Sequence, residues 1–335
     1  MQHIGKASIT FEKPPYILEY SSTVGKKEGE GPLASYFDEI NEDPLFGGNN
    51  WEDAESRLIE SNIQKLLNKA VLESSNIDYI LAGDLLGQLI ASSFGLVNFN
   101  IPLFGLYGAC STFGEAVSLG SILVSGGFAN NVIASASSHF ASAEKTFRFP
   151  LGYGNQRKFS ATWTVTGCGS VIISNKAGKV KISGITTGKI VDYGLKDKEN
   201  MGACMAPAAA DTIYNNLCDF NRKPSDYDKI ITGDLGYVGQ TILIDLLKEK
   251  GFDITDIHTD CGIEIFDINS QDTHAGGSGC GCSASTFCSY IMKQFENKTF
   301  KRILFVPTGA LLSPISSNEG NSVPGIAHGV IFEAV

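Results

Sequence analysis

The sequence predicts a layered α/β protein built from two related halves, and three observations carry that reading. Short runs rich in β-branched and aromatic residues alternate with longer helix-patterned segments, which is how sheets covered by helices look in sequence. The 335 residues include 43% apolar residues and 37 glycines but only 19% charged ones, enough to bury a large core. Finally, landmarks recur in the same order along the chain. Asp78-Tyr-Ile-Leu-Ala-Gly-Asp84-Leu85 is echoed by Asp228-Lys-Ile-Ile-Thr-Gly-Asp234-Leu235, matching at five of eight positions. Gly108-Ala-Cys110-Ser111 is echoed by Cys280-Gly-Cys282-Ser283, residues 132–136 by 304–308, and 167–173 by 326–332.

In the first half, residues 51–72 place Ile59, Ile63, Leu66, Leu67 and Val71 at helical spacing, predicting a helix with one face on a sheet. Strands follow at 79–82 and 103–107, a helix at 111–125 and a strand at 131–136. The polar turn at 175–179 separates the halves, taken as 1–177 and 178–335. The equivalent helix of the second half is expected from about 208 to 221, between Pro207 and Pro224.

Charge excludes some functions. A net charge of −10 argues against a general nucleic-acid surface, which needs clustered Lys and Arg. From Leu85 to Ala143 the one charged residue is Glu115, and from Thr273 to Met292 there is none. Polar interruptions leave no clean apolar run of about 18 residues, so the longer stretch reads as the twice-covered interior of a soluble protein, without a transmembrane helix. The first fourteen residues lack the apolar stretch of a secretory signal, which predicts retention inside the cell. Eight scattered cysteines, of which only Cys280 and Cys282 are close, read as buried thiols in place of a zinc site.

The strongest local constellation surrounds Cys110. A strand ends, small residues permit a sharp turn, and the cysteine arrives at a helix start, where unpaired amides and the dipole favour negative charge. A thiol so placed has a lowered pKa and is a candidate nucleophile. The same amides form a candidate anion hole, and a small packed residue is the third reading.

Two α/β halves with a cysteine at a helix start in the first resemble the thiolase fold of thiolases and β-ketoacyl synthases, including synthase III. Residues 303–309 and Gly325-Ile-Ala-His-Gly-Val-Ile-Phe332 resemble the strands and glycine turn that close it. More narrowly, Trp51-Glu-Asp-Ala-Glu-Ser56, Ile80-Leu-Ala-Gly-Asp-Leu-Leu86, Phe147-Arg-Phe-Pro150 and Trp163-Thr-Val-Thr-Gly167 resemble the stage V sporulation protein AD family, over essentially the whole chain. The resemblance implies an αβαβα architecture and binding of dipicolinic acid, pyridine-2,6-dicarboxylate, during its uptake into the developing spore and its release in germination. It further implies a homodimer formed through residues 103–107, partners among the other stage V sporulation A proteins, and a peripheral place at the inner membrane of the spore or forespore.

Departures from the enzymes argue against catalysis. Where the decarboxylating synthases carry a histidine after the strand at 229–232, this chain has Gly233 or Asp234, and an acid there opposes an enolate. The later loop holds His274 but no asparagine. The expected outcome is a non-enzymatic ligand-binding protein with Cys110 as a vestigial nucleophile and no cofactor or metal of its own. The rival readings are an acyltransferase with a Cys110 thioester and His274 as base, or a scaffold for membrane partners.

For the dicarboxylate, amides at Cys110, Ser111 and Thr112 are assigned one carboxylate. Arg148 or Arg157 is assigned the other, with Thr162, Trp163 and Thr164 adding hydroxyl and aromatic contact. His139, Asp234, His274 and His328 complete the candidate set, each histidine also reading as a hydrogen-bonded structural residue. No EF-hand pattern is present, so any calcium enters as the chelate, held through the ligand.

Overall fold

The structure is a computed structural model and describes residues 2–148, 151–153 and 156–335. Ten strands form its backbone. In the first half these are β1 (Tyr16–Gly25), β2 (Tyr79–Gly83), β3 (Leu103–Gly105), β4 (Asn131–Ser138) and β5 (Gly167–Ser174). The second half supplies β6 (Val180–Thr186), β7 (Lys229–Thr232), β8 (His258–Asp260), β9 (Arg302–Val306) and β10 (Gly329–Ala334). Their spatial order is β8-β7-β9-β10-β6-β1-β5-β4-β2-β3. Numbered within each half, this reads 3-2-4-5-1 and then 1-5-4-2-3, a mirrored order. Directions match as well: β5 is antiparallel to β1 and β4, as β10 is to β6 and β9, while the outer pairs are parallel. The two runs join where Val180 meets Ile17 and Lys181 meets Tyr16.

Helices cover both runs. The first, α1 (Trp51–Ala70), starts where the Asn50 side chain accepts the Asp53 amide, with Glu52 and Asp53 favouring the positive end of the dipole. Ala54, Leu58, Ile59, Ile63, Leu66 and Leu67 form its buried face on β1, β4 and β5. It stops two residues short of the expected 72 because Val71 turns left-handed at φ 53°. Between the two runs lie α2 (Thr112–Ser125), which touches strands of both, and the shorter α6 (Cys280–Thr286). The far face of the second half carries α4 (Met201–Asp219) and α5 (Gly236–Glu249), packed on each other. Phe113, Phe287, Phe305 and Phe332 meet in the middle layer, with Phe287 4.5 Å from Phe332 and 5.0 Å from Phe305 between ring centroids.

Two sequence expectations need correction. Helix α4 begins at Met201, seven residues before the position expected from Pro207, and carries that proline inside it. A proline there removes one helical hydrogen bond at a cost of about 3 kcal/mol. The buried face from Gly202 to Leu217, sealed against α5, outweighs that local penalty. The charge-poor stretch 85–143 is also not all interior. Strand β3 ends at Gly105, sits at the sheet edge, and leaves Phe104 50% and Tyr107 49% exposed, and Phe94 of the same stretch is 65% exposed.

Candidate functional site

The turn after β3 is built from its own backbone and hydroxyls. Ala109 adopts φ 50°, an uncommon left-handed value for a residue with a side chain. The Ser111 and Thr112 amides donate to the Gly108 and Ala109 carbonyls at 3.1 and 3.2 Å, and their hydroxyls donate to the same two oxygens at 2.7 and 2.6 Å. Gly309 presses on this turn from the second half: a Cβ there would lie 2.2 Å from the Gly108 oxygen. The groups of Ser111 and Thr112 assigned to a carboxylate are therefore already engaged.

Cys110 lies two residues before the first residue of α2 and is 5% exposed. Its thiol is 3.8 Å from the Ser278 hydroxyl. Burial first and the Asp234 carboxylate second push it up to about 12, against smaller lowering contributions from Ser278 and the Gly279 amide. This corrects the expectation of a lowered pKa: desolvation outweighs the helix end. Asp234 is fully buried, and its carboxyl is held well above the usual range by burial and by Asp260. The Thr308 and Gly279 amides lie on its side and lower it, yet neither oxygen has a well-formed hydrogen bond among the described residues. The cavity at Cys110 measures about 50 Å³, walled by Leu85, Tyr107, Phe147, Met201 and Leu312. That is far below the roughly 300 Å³ at which small-molecule sites begin.

Cationic groups gather on another face of α3 (Phe140–Phe147), the helix that supplies Ala143, Thr146 and Phe147 to the Cys110 cavity. Its Glu144 carboxylate, fully buried, pairs with Arg148 and accepts the Thr164 hydroxyl at 2.9 Å. Burial raises the Glu144 carboxyl, and Arg148, Thr164 and Arg157 oppose that rise. The Arg157 guanidinium lies 4.5 Å from the Trp163 ring centre and donates to the Asp272 carbonyl at 2.6 Å. Three buried donor nitrogens, Nε of Arg148 and Nε and Nη1 of Arg157, have no acceptor among the described residues. Unsatisfied buried donors on charged groups are costly and call for a missing partner. Thr162 is buried next to Gly236. Of the Phe147-Arg-Phe-Pro150 motif, Phe149 and Pro150 lie outside the described residues, as does Gly154.

Among the described residues no hydrogen bond links any of the three candidate histidines to Cys110. His274 has both ring nitrogens engaged, Nδ1 with the Lys158 carbonyl at 2.8 Å and Nε2 with Asp272 at 3.2 Å. His139 caps α3 by accepting the Ala141 amide and donates Nε2 to the Pro44 carbonyl at 2.8 Å. His328 is buried, accepts the Gly188 amide at 3.3 Å, and is pushed down to about 4 by desolvation, so it is neutral. What the structure unites is one cluster of Cys110, Asp234, Ser278 and Gly279, and a neighbouring one of Arg148, Glu144, Thr164, Trp163 and Arg157. Ser278 and Glu144 escaped the sequence reading. Counting from the first helical residues, 112 and 280, Cys110 corresponds to Ser278 and not to Cys282, a shift of one helical turn. Among the described residues no group of three or more His, Cys, Asp or Glu side chains is placed to hold a metal ion, and no helix is long and apolar enough to cross a membrane.

The mirrored runs around a cysteine turn define a thiolase-like fold. In structure the chain is similar to 3-oxoacyl-[acyl-carrier-protein] synthase III from Aquifex aeolicus VF5, with a TM-score of 0.56 over 95% of this chain and 99% of that one. It is also similar to AbyA1, a tetronic acid condensing enzyme, with a TM-score of 0.54 over 96% and 100%. Each shares 13% sequence identity, so these likenesses concern fold alone. Residues 5–333 match the model of the family described as Stage V sporulation protein AD (SpoVAD), and the chain belongs to that family. It is 44% identical over 333 residues to the Stage V sporulation protein AD of Bacillus subtilis (strain 168), covering 99% of this chain and 98% of that protein.

Proposed function

We propose that this sporulation-family protein binds dipicolinate beside the Cys110 turn and takes part in its uptake into the developing spore and its release in germination, without catalysing a reaction. The observation that carries the ligand reading is the set of three donor nitrogens without an acceptor on Arg148 and Arg157, the second of which lies over the Trp163 ring. A planar dicarboxylate supplies acceptors in the bidentate geometry that guanidinium groups favour, and an aromatic ring for the indole. Since the Cys110 cavity is too small for twelve heavy atoms, binding requires α3 or the wall at Leu312 to move outward. The non-catalytic reading is supported by the neutral thiol and by an acid, Asp234, facing it. Attachment at the spore inner membrane, association with other stage V sporulation A proteins, and a homodimer are part of the same proposal. The dimer is supported by the open edge of β3 with Leu103, Phe104 and Tyr107 exposed.

Isothermal calorimetry with dipicolinate tests the ligand, with and without calcium, on the wild-type chain and on Arg157→Met. Saturable heat that weakens by roughly tenfold or more in the variant is expected from loss of a charge-assisted pair. Absence of heat in the wild type overturns the proposal. Intact mass after exposure to an acyl-coenzyme A tests the acyltransferase rival, for which an acyl increment lost in Cys110→Ala would be required.

A further inference from the structure

A second cavity, of about 550 Å³, opens between the turn after β1, the start of α1 and the start of α3. Its size is ordinary for a small-molecule site. The dipicolinate reading uses only its edge at Trp163. Both tryptophans of the chain, Trp51 and Trp163, line it together with Phe140, Leu151, Lys27 and Glu28. Phe140 stacks on Trp163 at 4.0 Å and 13° between ring planes, while the Lys27 ammonium lies 4.3 Å from the same ring centre. Trp51 stacks on His139 at 5.6 Å and 28°.

The charges of this cavity can be counted. At the rim Lys26 and Glu42 pair at 3.3 Å and cancel, leaving Glu30 in solvent. His139 is neutral, since burial lowers its pKa and both ring nitrogens are engaged. Glu28 is wholly buried, accepts the Thr166 amide at 2.9 Å, and is pushed up to about 7 by desolvation, so about half of the molecules carry its negative charge at neutrality and only about one in ten at pH 6. Lys27, half-buried, is left as the cation of the inner wall. It donates to the Gln271 carbonyl and is in no ion pair among the described residues. Burial and the nearby Arg157 lower its pKa, while Glu28, Asp272 and Glu30 act the other way. An anion beside Lys27 would relieve that strain.

We propose that this cavity is a second binding site, for a flat aromatic monocarboxylate whose ring lies between Trp51 and the Phe140–Trp163 stack and whose carboxylate pairs with Lys27. Its apolar walls reject a second charge, because an unpaired ion there is strongly penalised. A cationic ligand meets Lys27 and Arg157, and a neutral one leaves the remaining Lys27 N–H groups without an acceptor.

The test uses the full chain and its own fluorescence, since Trp51 and Trp163 are the two tryptophans and both line this cavity. Benzoate is titrated against benzyl alcohol and benzylamine, which share its shape but are neutral and cationic. Benzoate should change the emission saturably, bind roughly tenfold or more tightly than benzyl alcohol, and lose that advantage in Lys27→Met. Benzylamine should give no saturable change, and Trp51→Ala, at a residue that lines this cavity and not the one at Cys110, should weaken the benzoate response read from the remaining Trp163, which separates the two sites. The proposal is overturned if benzoate does not saturate, if benzylamine responds equally, or if Lys27→Met titrates unchanged. Should Lys27→Met melt below the wild type, the contrast among the three ligands on the wild-type chain decides the matter.

Discussion

Replacing Asp234 by asparagine tests the electrostatics of the Cys110 turn directly. With the thiol pushed up to about 12, roughly one molecule in ten thousand carries a thiolate at pH 8, against about one in four for an ordinary thiol. Since the thiolate is the nucleophile, Cys110 should alkylate at least about three orders of magnitude more slowly than an exposed cysteine. Burial at 5% exposure slows it further. Cys218, which is exposed while the other seven cysteines are buried, supplies the internal reference. The assay is iodoacetamide labelling from pH 7 to 10, followed peptide by peptide in the mass spectrometer. Asp234→Asn removes the second-largest cause of the raised pKa and should speed Cys110 labelling without changing Cys218. Labelling of wild-type Cys110 within tenfold of Cys218 at pH 8 would refute the reasoning and restore a helix-end thiolate.

Four further outcomes follow from the same structure. Glu144→Gln leaves Arg148 buried without its charge partner and should cost about 3–5 kcal/mol, read as a lower denaturation midpoint. Glu28, raised to about 7, favours the folded state while protonated. Its contribution is complete below pH 4 and should fall by about 3 kcal/mol as pH rises through 7, a loss absent in Glu28→Gln by urea titration. His258 and His328, lowered to about 3 and about 4, act oppositely. Their contribution is full above pH 6.5 and declines as pH falls, so His328→Gln should flatten the acid limb of the same curve. If the β3 edge joins two copies, Phe104→Lys should shift the sedimentation coefficient from dimer to monomer while leaving the melting temperature nearly unchanged.

The layered α/β class was legible because it rests on periodicity and repetition, and both survive in the mirrored strand order. Strands at 79–83 and 131–138 and the helix at 112–125 fall within two residues of their expected ends. Pro207 misled because a local rule was applied where a buried helix face prevails. At the site, residue type pointed to Cys110 and Arg148, but sequence carries no measure of desolvation. The sign of the Cys110 shift was therefore out of reach, since it depends first on burial and then on Asp234, more than a hundred positions away. Ser278 stayed hidden because the echoing cysteines drew the alignment one helical turn too far. Lys27 and Trp51 were unremarkable apart, and only the fold brings them to one cavity.

The aromatic cluster in the middle layer has a consequence for how the chain is made. Phe113 and Phe332, which both touch Phe305, are separated by more than two hundred residues of chain. Ribosomes deliver a chain from its N-terminus at about 5–20 residues per second. The Phe113 side of the middle layer therefore waits roughly ten seconds or more, exposed or chaperoned, for the strand that closes it. Strand β10 follows the other nine strands of the sheet in chain order, and mutations in it should act on yield before they act on binding.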